Sequence, residues 1–137
     1  MNKTNASQKG GKDAEQTVSP AIAEGRRICN IFFGAVDTRR NKVAYMYASN
    51  CRLLFNGNTY NGFDQINDFW VNKMPTTSHT IQNIAVNLSP VVNLLICASN
   101  GTMEMNEKEY FFNQTLTLVR EDDMWKIVSD NYRYFDL

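Results

Sequence analysis

Residues 111–137 read Phe111-Phe112-Asn113-Gln114-Thr115-Leu116-Thr117-Leu118-Val119-Arg120-Glu121-Asp122-Asp123-Met124-Trp125-Lys126-Ile127-Val128-Ser129-Asp130-Asn131-Tyr132-Arg133-Tyr134-Phe135-Asp136-Leu137. Two long β-type segments flank a short acidic turn, the pattern of a hairpin. Strand side chains alternate between faces. In the first segment Phe112, Leu116 and Leu118 therefore point one way, and Thr115 and Thr117 the other. In the second, strict alternation puts Val128, Asp130, Tyr132 and Tyr134 on one face, and Trp125, Ile127, Ser129, Asn131 and Arg133 on the other. Neither face is as polar as a solvated sheet face normally is. The pattern predicts a sheet with a core on one side and a partner on the other.

Upstream, Val91 to Ser99 reads as a continuous apolar strand that Met103-Glu104-Met105 extends. Leu94, Ile96 and Ala98 lie on one face, Leu95 and Cys97 on the other. Thr77 to Leu88 alternates, with Ile81, Ile84, Val86 and Leu88 apolar, and Ser89-Pro90 interrupts it. Before that come Cys51 to Phe55, the turn pair Asn56-Gly57, and Thr59-Tyr60. Asn-Gly between apolar segments is a strong hairpin signal, because both residues tolerate positive φ. Phe63 to Val71 is helical, with Phe63, Ile66, Phe69 and Trp70 inward and Asp64 suited to the first turn; Pro75 ends it. Ser19-Pro20 has the form of an N-cap followed by proline at the first helical position. Ile22, Cys29, Phe32, Phe33 and Val36 follow at near-helical spacing, with Gly25 and Gly34 each weakening the helix by about 1 kcal/mol. A second short helix is expected from Arg39 to Tyr47. Residues 1–18 hold almost no large apolar side chain and read as a disordered tail; residues 19–137 form the domain. Helix, helix, two short strands, helix and four longer strands make an α+β domain, a strongly bent antiparallel sheet packed on three helices.

Composition narrows the function. Lys+Arg and Asp+Glu both number 14 in 137 residues, a formal net charge of zero. That argues against direct nucleic-acid or membrane-surface binding, which favour a basic excess, and a neutral surface favours a protein partner. The three cysteines, Cys29, Cys51 and Cys97, form no Cys-x-x-Cys pair, and His79 is the one histidine, so no metal site is expected. Cofactor motifs are absent as well: there is no P-loop and no GxGxxG. No apolar stretch of about 18 residues or signal-peptide pattern is present. Asp130, turned toward the core, is the best candidate for a general base, with a hydrogen-bonded structural carboxylate as the plainer reading. His79, at a loop-to-strand junction, reads as a surface or capping histidine.

Several blocks then point to one family. Phe55-Asn56-Gly57-Asn58, Asn61-Gly62 before a helix, Phe112-Asn113-Gln114, Trp125-Lys126-Ile127-Val128-Ser129-Asp130 and Tyr132-Arg133-Tyr134 resemble the nuclear transport factor 2-like fold. Within it they look most like the nuclear transport factor 2-related export proteins. The resemblance covers about residues 20–137. It implies a cone-shaped domain whose open sheet face packs on the matching domain of a large mRNA export receptor, TAP. It also implies a non-enzymatic subunit that shuttles between nucleus and cytoplasm and meets nuclear pore proteins only indirectly. An arginine of the last strand in that family pairs with an aspartate of the receptor, and Arg133 holds that place. The partner-facing residues are then Leu94, Ile96, Ala98, Thr115, Thr117, Ile127, Ser129, Asn131 and Arg133. Two alternatives within the fold are a homodimeric carrier of GDP-bound Ran and a small cavity enzyme of the ketosteroid isomerase or dehydratase type. Against Ran, the family's carrier has an acid directly after the aromatic of the first hairpin, where this chain has Asn56.

Overall fold

The structure, a computed structural model, describes residues 19–137. The expected tail of residues 1–18 lies outside them. The elements are α1 (Pro20–Thr38), α2 (Arg40–Val43, run on by a 3-10 turn over Ala44–Met46), β1 (Tyr47–Phe55), β2 (Asn58–Asn61), α3 (Gly62–Asp68, run on by a π-helical turn over Phe69–Lys73), β3 (Thr77–Ser89), β4 (Leu94–Met105), β5 (Lys108–Glu121) and β6 (Met124–Asp136). The strands form one sheet in the order β2-β1-β6-β5-β4-β3. The α+β architecture is the expected one. The sheet itself is mixed: β1 runs parallel to β6, and every other neighbouring pair is antiparallel. Alternation marks a segment as a strand but does not choose its neighbour.

The start of α1 follows from its sequence. Ser19 caps it by accepting from the Ile22 amide at 3.1 Å, and Pro20 opens the first turn. The stripe Ile28, Cys29, Phe32, Phe33 and Val36 is buried against the sheet. The two glycines of this helix differ in role. A Cβ on Gly25 would sit 3.0 Å from Val86 Cγ1 and 3.3 Å from Leu95 Cδ1, so glycine lets α1 approach β3 and β4 closely. Gly34 has open space where its Cβ would be. Gly34→Ala should therefore raise unfolding free energy by up to about 1 kcal/mol in urea titrations. Gly25→Ala should lose that gain, because the helix must back away from the sheet.

The second helix is shorter than the sequence suggested. It gives way after Val43 to a 3-10 turn, and Tyr47 already belongs to β1. Arg40, at its start, organises the return from α3. Its guanidinium donates to the carbonyls of Val36, Trp70, Met74 and Pro75 and to Thr77 Oγ1. The Val36, Trp70 and Met74 carbonyls lie at the ends of two helical segments, where backbone acceptors lack helical partners, and Pro75 follows just beyond. In α3, Ile66, Phe69 and Trp70 are buried as expected, whereas Phe63 is exposed and packs on Tyr45 with ring centroids 4.9 Å apart.

Three hairpins turn on pairs of residues with positive φ: Asn56 and Gly57 (44° and 87°), Asn106 and Glu107 (53° and 64°), and Asp122 and Asp123 (53° and 62°). That backbone matches the right-handed twist of the flanking strands. The apolar start read at Val91 is a turn instead; β4 begins at Leu94, and Val91 is 89% exposed. In β1 the pairing with β6 jumps from Tyr47↔Ile127 to Arg52↔Ser129. The Ser49 amide and hydroxyl are taken up by the Glu121 carboxylate at 2.6–3.2 Å, which ties the interrupted strand to the β5–β6 turn.

A bulge in β6 changes one face assignment. The register runs Thr117↔Ser129 and then Leu118↔Ile127, so Val128 is extra. Strict alternation breaks there. Ile127 turns to the core with 0% exposure, whereas Ser129, Asn131 and Arg133 keep the outer face.

Candidate functional site: the outer face of the sheet

Register and burial assemble the outer face row by row. Ala98, Thr115, Asn131 and Leu54 lie side by side across β4, β5, β6 and β1. Ile96, Thr117, Ser129 and Arg52 form the neighbouring row. On the other side come Asn100, Asn113 and Arg133, then Thr102, Phe111 and Phe135. Ala98, Thr115, Asn131 and Arg133 are exposed, Ile96 is 39% exposed, and Leu94, Thr117 and Ser129 are half-buried. Eight of the nine residues expected on this face are thus brought together. Ile127 is the exception, moved to the core by the β6 bulge.

Two aromatic residues of this face were missed. Phe111 and Phe135 are direct cross-strand partners, 48% and 42% exposed. Parity could have found them, since Phe111 alternates with the core residue Phe112, and Phe135 lies two residues beyond Arg133. The Arg133 guanidinium stands 5.8 Å from the Phe135 ring centroid and makes no ion pair among the described residues. With small and mid-sized side chains at its centre, an aromatic pair at one end and two exposed cations, Arg52 and Arg133, that make no ion pair among the described residues, the face has the composition of a docking surface for another protein.

The opposite, concave side is filled. Tyr132 lies between Phe55 and Phe112, nearly parallel to both, with ring centroids 4.8 and 5.6 Å away. Its hydroxyl meets His79 Nε2 at 2.7 Å, and His79 Nδ1 meets Asp37 Oδ1 at 2.7 Å. His79 is therefore no surface residue: its side chain is 1% exposed and packs against the rings of Phe33 and Phe112. Its partners come from α1 and β6, far away in sequence, so no local signal reveals them. Burial alone would raise the Asp37 carboxyl, but hydrogen bonds from the His79 ring and backbone outweigh it and hold it below the ordinary value. With Asp37 a carboxylate acceptor, Nδ1 donates, and a neutral His79 accepts from the Tyr132 hydroxyl at Nε2. Burial in turn pushes the Tyr132 phenol up.

Asp130 faces the core, as its parity with Tyr132 requires. Tyr47 Oη donates to its Oδ2 at 2.5 Å and Gln114 Nε2 to its Oδ1 at 3.0 Å, while Trp70 Nε1 donates to Tyr47 Oη at 3.3 Å. Burial raises the carboxyl to about 7 against the opposing pull of these hydrogen bonds. The folded state thus holds this proton more tightly than the unfolded chain. The associated stability is full below about pH 4 and is lost as pH rises through about 7. The difference reaches roughly 4 kcal/mol at about 1.4 kcal/mol per unit. Asp130→Asn should flatten this part of the profile of Tm against pH and be no less stable than wild type at pH 8. A variant with the same fall between pH 4 and 8 would place the titrating group elsewhere.

A groove of about 680 Å³ opens between the start of α1 and the β5–β6 turn, lined by Ile28, Ile31, Tyr45, Met124 and Trp125 among others. None of its lining residues belongs to the Asp130 or His79 networks. Among the described residues, no three or more His, Cys, Asp or Glu side chains gather as a metal would require, and no helix is long and apolar enough to cross a membrane.

A bent, unclosed sheet cupped around one long and two short helices, its interior filled and its outer face open, defines the nuclear transport factor 2-like class of domain. Residues 24–134 match the nuclear transport factor 2 (NTF2) domain, and the chain belongs to that family. An NTF2-related export protein of Caenorhabditis elegans is 28% identical over 120 residues, covering 82% of this chain and 87% of that one. NTF2-related export protein 2 of Homo sapiens is 25% identical over 134 residues, covering 90% and 94%. Among solved structures, nuclear transport factor 2 of Cryptosporidium parvum superposes with a TM-score of 0.76 at 16% identity, over 86% of this chain and 98% of that one, a likeness of fold.

Proposed function

We propose that this chain is a non-enzymatic adaptor subunit. It pairs through the outer face of its sheet with the NTF2-like domain of a large mRNA export receptor of the TAP kind, and supports passage of that receptor between nucleus and cytoplasm through the nuclear pore. Membership of the NTF2 family and relatives named NTF2-related export proteins support a role in nuclear export. The observation that carries the pairing is the exposed row of Ala98, Thr115 and Asn131 beside Arg133, a cation with no carboxylate partner among the described residues. The adaptor reading also fits the interior. Asp130 is buried, and each of its oxygens already accepts a hydrogen bond from a protein side chain, the arrangement of a structural carboxylate.

The test is assembly. The chain, expressed with and without the receptor's NTF2-like domain, is analysed by size-exclusion chromatography with light scattering. A one-to-one heterodimer supports the adaptor. A homodimer that ignores the receptor domain and retains GDP-bound Ran would overturn it in favour of the carrier.

A further inference from the structure

We propose that Asn56 is a positioning residue for the partner contact of Arg133, an assignment that rests on the receptor-pairing reading above. The parallel pairing of β1 with β6 ends at Phe55↔Tyr132, where β1 enters its turn. Asn56 continues it by other means. Its backbone amide donates to the Tyr132 carbonyl at 3.0 Å, and its side-chain Oδ1 accepts from the Tyr134 amide at 2.8 Å. The residue enclosed by these two bonds is Arg133. On the other side of β6, Arg133 pairs in register with Asn113.

The arrangement needs this residue type. Asn56 has φ 44°, and asparagine tolerates that left-handed backbone better than most side chains. Its short amide then reaches back to the neighbouring strand. Phe55, stacked on Tyr132 at 4.8 Å with ring planes 6° apart, anchors the turn from inside. Without the Asn56 amide the Tyr134 N–H would face water close to the end of β6, where strands fray most readily. An arginine already gives up much rotamer freedom on docking, and a mobile backbone beneath it would add to that cost. The Asn56 side chain, half of this clamp, therefore acts on the partner through the base from which Arg133 projects.

The variant that isolates the effect is Asn56→Gly, which keeps the left-handed turn and deletes only the acceptor. Binding to the receptor's NTF2-like domain is measured by surface plasmon resonance for wild type, Asn56→Gly, Arg133→Ala and the double variant, with amide exchange of Tyr134 followed by NMR. The expected result is a loss of roughly three- to tenfold in affinity for Asn56→Gly, the worth of one hydrogen bond. Faster exchange at Tyr134 should accompany it, and no further loss should occur when Asn56→Gly is added to Arg133→Ala. An equal loss in both backgrounds, or none in either, overturns the positioning role while leaving the receptor reading intact. Failure of the wild-type chain to bind defeats the receptor reading and this role together.

Discussion

Arg133→Asp should abolish binding to the NTF2-like domain of the export receptor while far-UV circular dichroism and Tm of the isolated chain stay close to wild type. Arg133 is exposed, lies on the outer face, and makes no ion pair among the described residues whose loss could unfold the domain. Its guanidinium lies against the Phe135 ring, so one flank is already held. On the proposed pairing it would become desolvated and face a carboxylate of the partner. Breaking such a contact costs about 2–5 kcal/mol, much of it from the partner's stranded charge, and an aspartate adds like-charge repulsion. The reverse change on the partner, aspartate to arginine, should restore binding to the Arg133→Asp variant. Normal binding by Arg133→Asp, or loss of fold, would remove this face as the interface.

How legible was that face in the sequence? Parity placed Leu94, Ile96, Ala98, Thr115 and Thr117 correctly because β4 and β5 pair with each other without a register break. It failed for Ile127 because β6 carries an extra residue at Val128, and one inserted residue inverts every assignment on its far side. Counting backward from Tyr132 gave Asp130 its core position; carrying the parity of Ser129 back across Val128 misplaced Ile127, which shares the core side with Trp125. The acidic turn between β5 and β6 was legible as a hairpin, as Asn56-Gly57 was, but only the latter announced its positive φ; Asp122-Asp123 and Asn106-Glu107 adopt the same backbone without glycine, imposed by the paired strands on either side. The His79 network lay beyond reach for another reason. Asp37 and Tyr132 stand 42 and 53 residues away from it in sequence, and only the closure of the sheet over α1 brings them together. The parallel neighbour of β6 was equally hidden, since a hydrophobic pattern says which face is buried but not which edge is shared.

The largest loss of stability should come from a single methyl group at Gly101. This residue lies in the middle of β4, paired with Ile81 on one side and Phe112 on the other. The register of β3 shifts between Ile81 and Asn83, so the edge strand bulges where Gly101 faces it. A Cβ there would fall 2.0 Å from the Thr80 carbonyl oxygen and 3.0 Å from the Gln82 nitrogen, both backbone atoms. A flexible side chain could swing aside, but a strand held in the sheet cannot do so without losing its ladder. Gly101→Ala must therefore either push β3 off β4 or bend β4 away from β5. Overpacking of this kind costs typically 1–3 kcal/mol, and more when the obstacle is backbone. Since β3 is the edge strand and α1 packs across it, the damage should reach the core: Gly101→Ala should lower the urea midpoint sharply and expose the β3 amides to rapid exchange. Gly34→Ala serves as the control in the same experiment, because its methyl group meets open space. If Gly101→Ala unfolds at the wild-type midpoint with β3 still protected, the close approach of the two strands at this bulge is not what keeps glycine there.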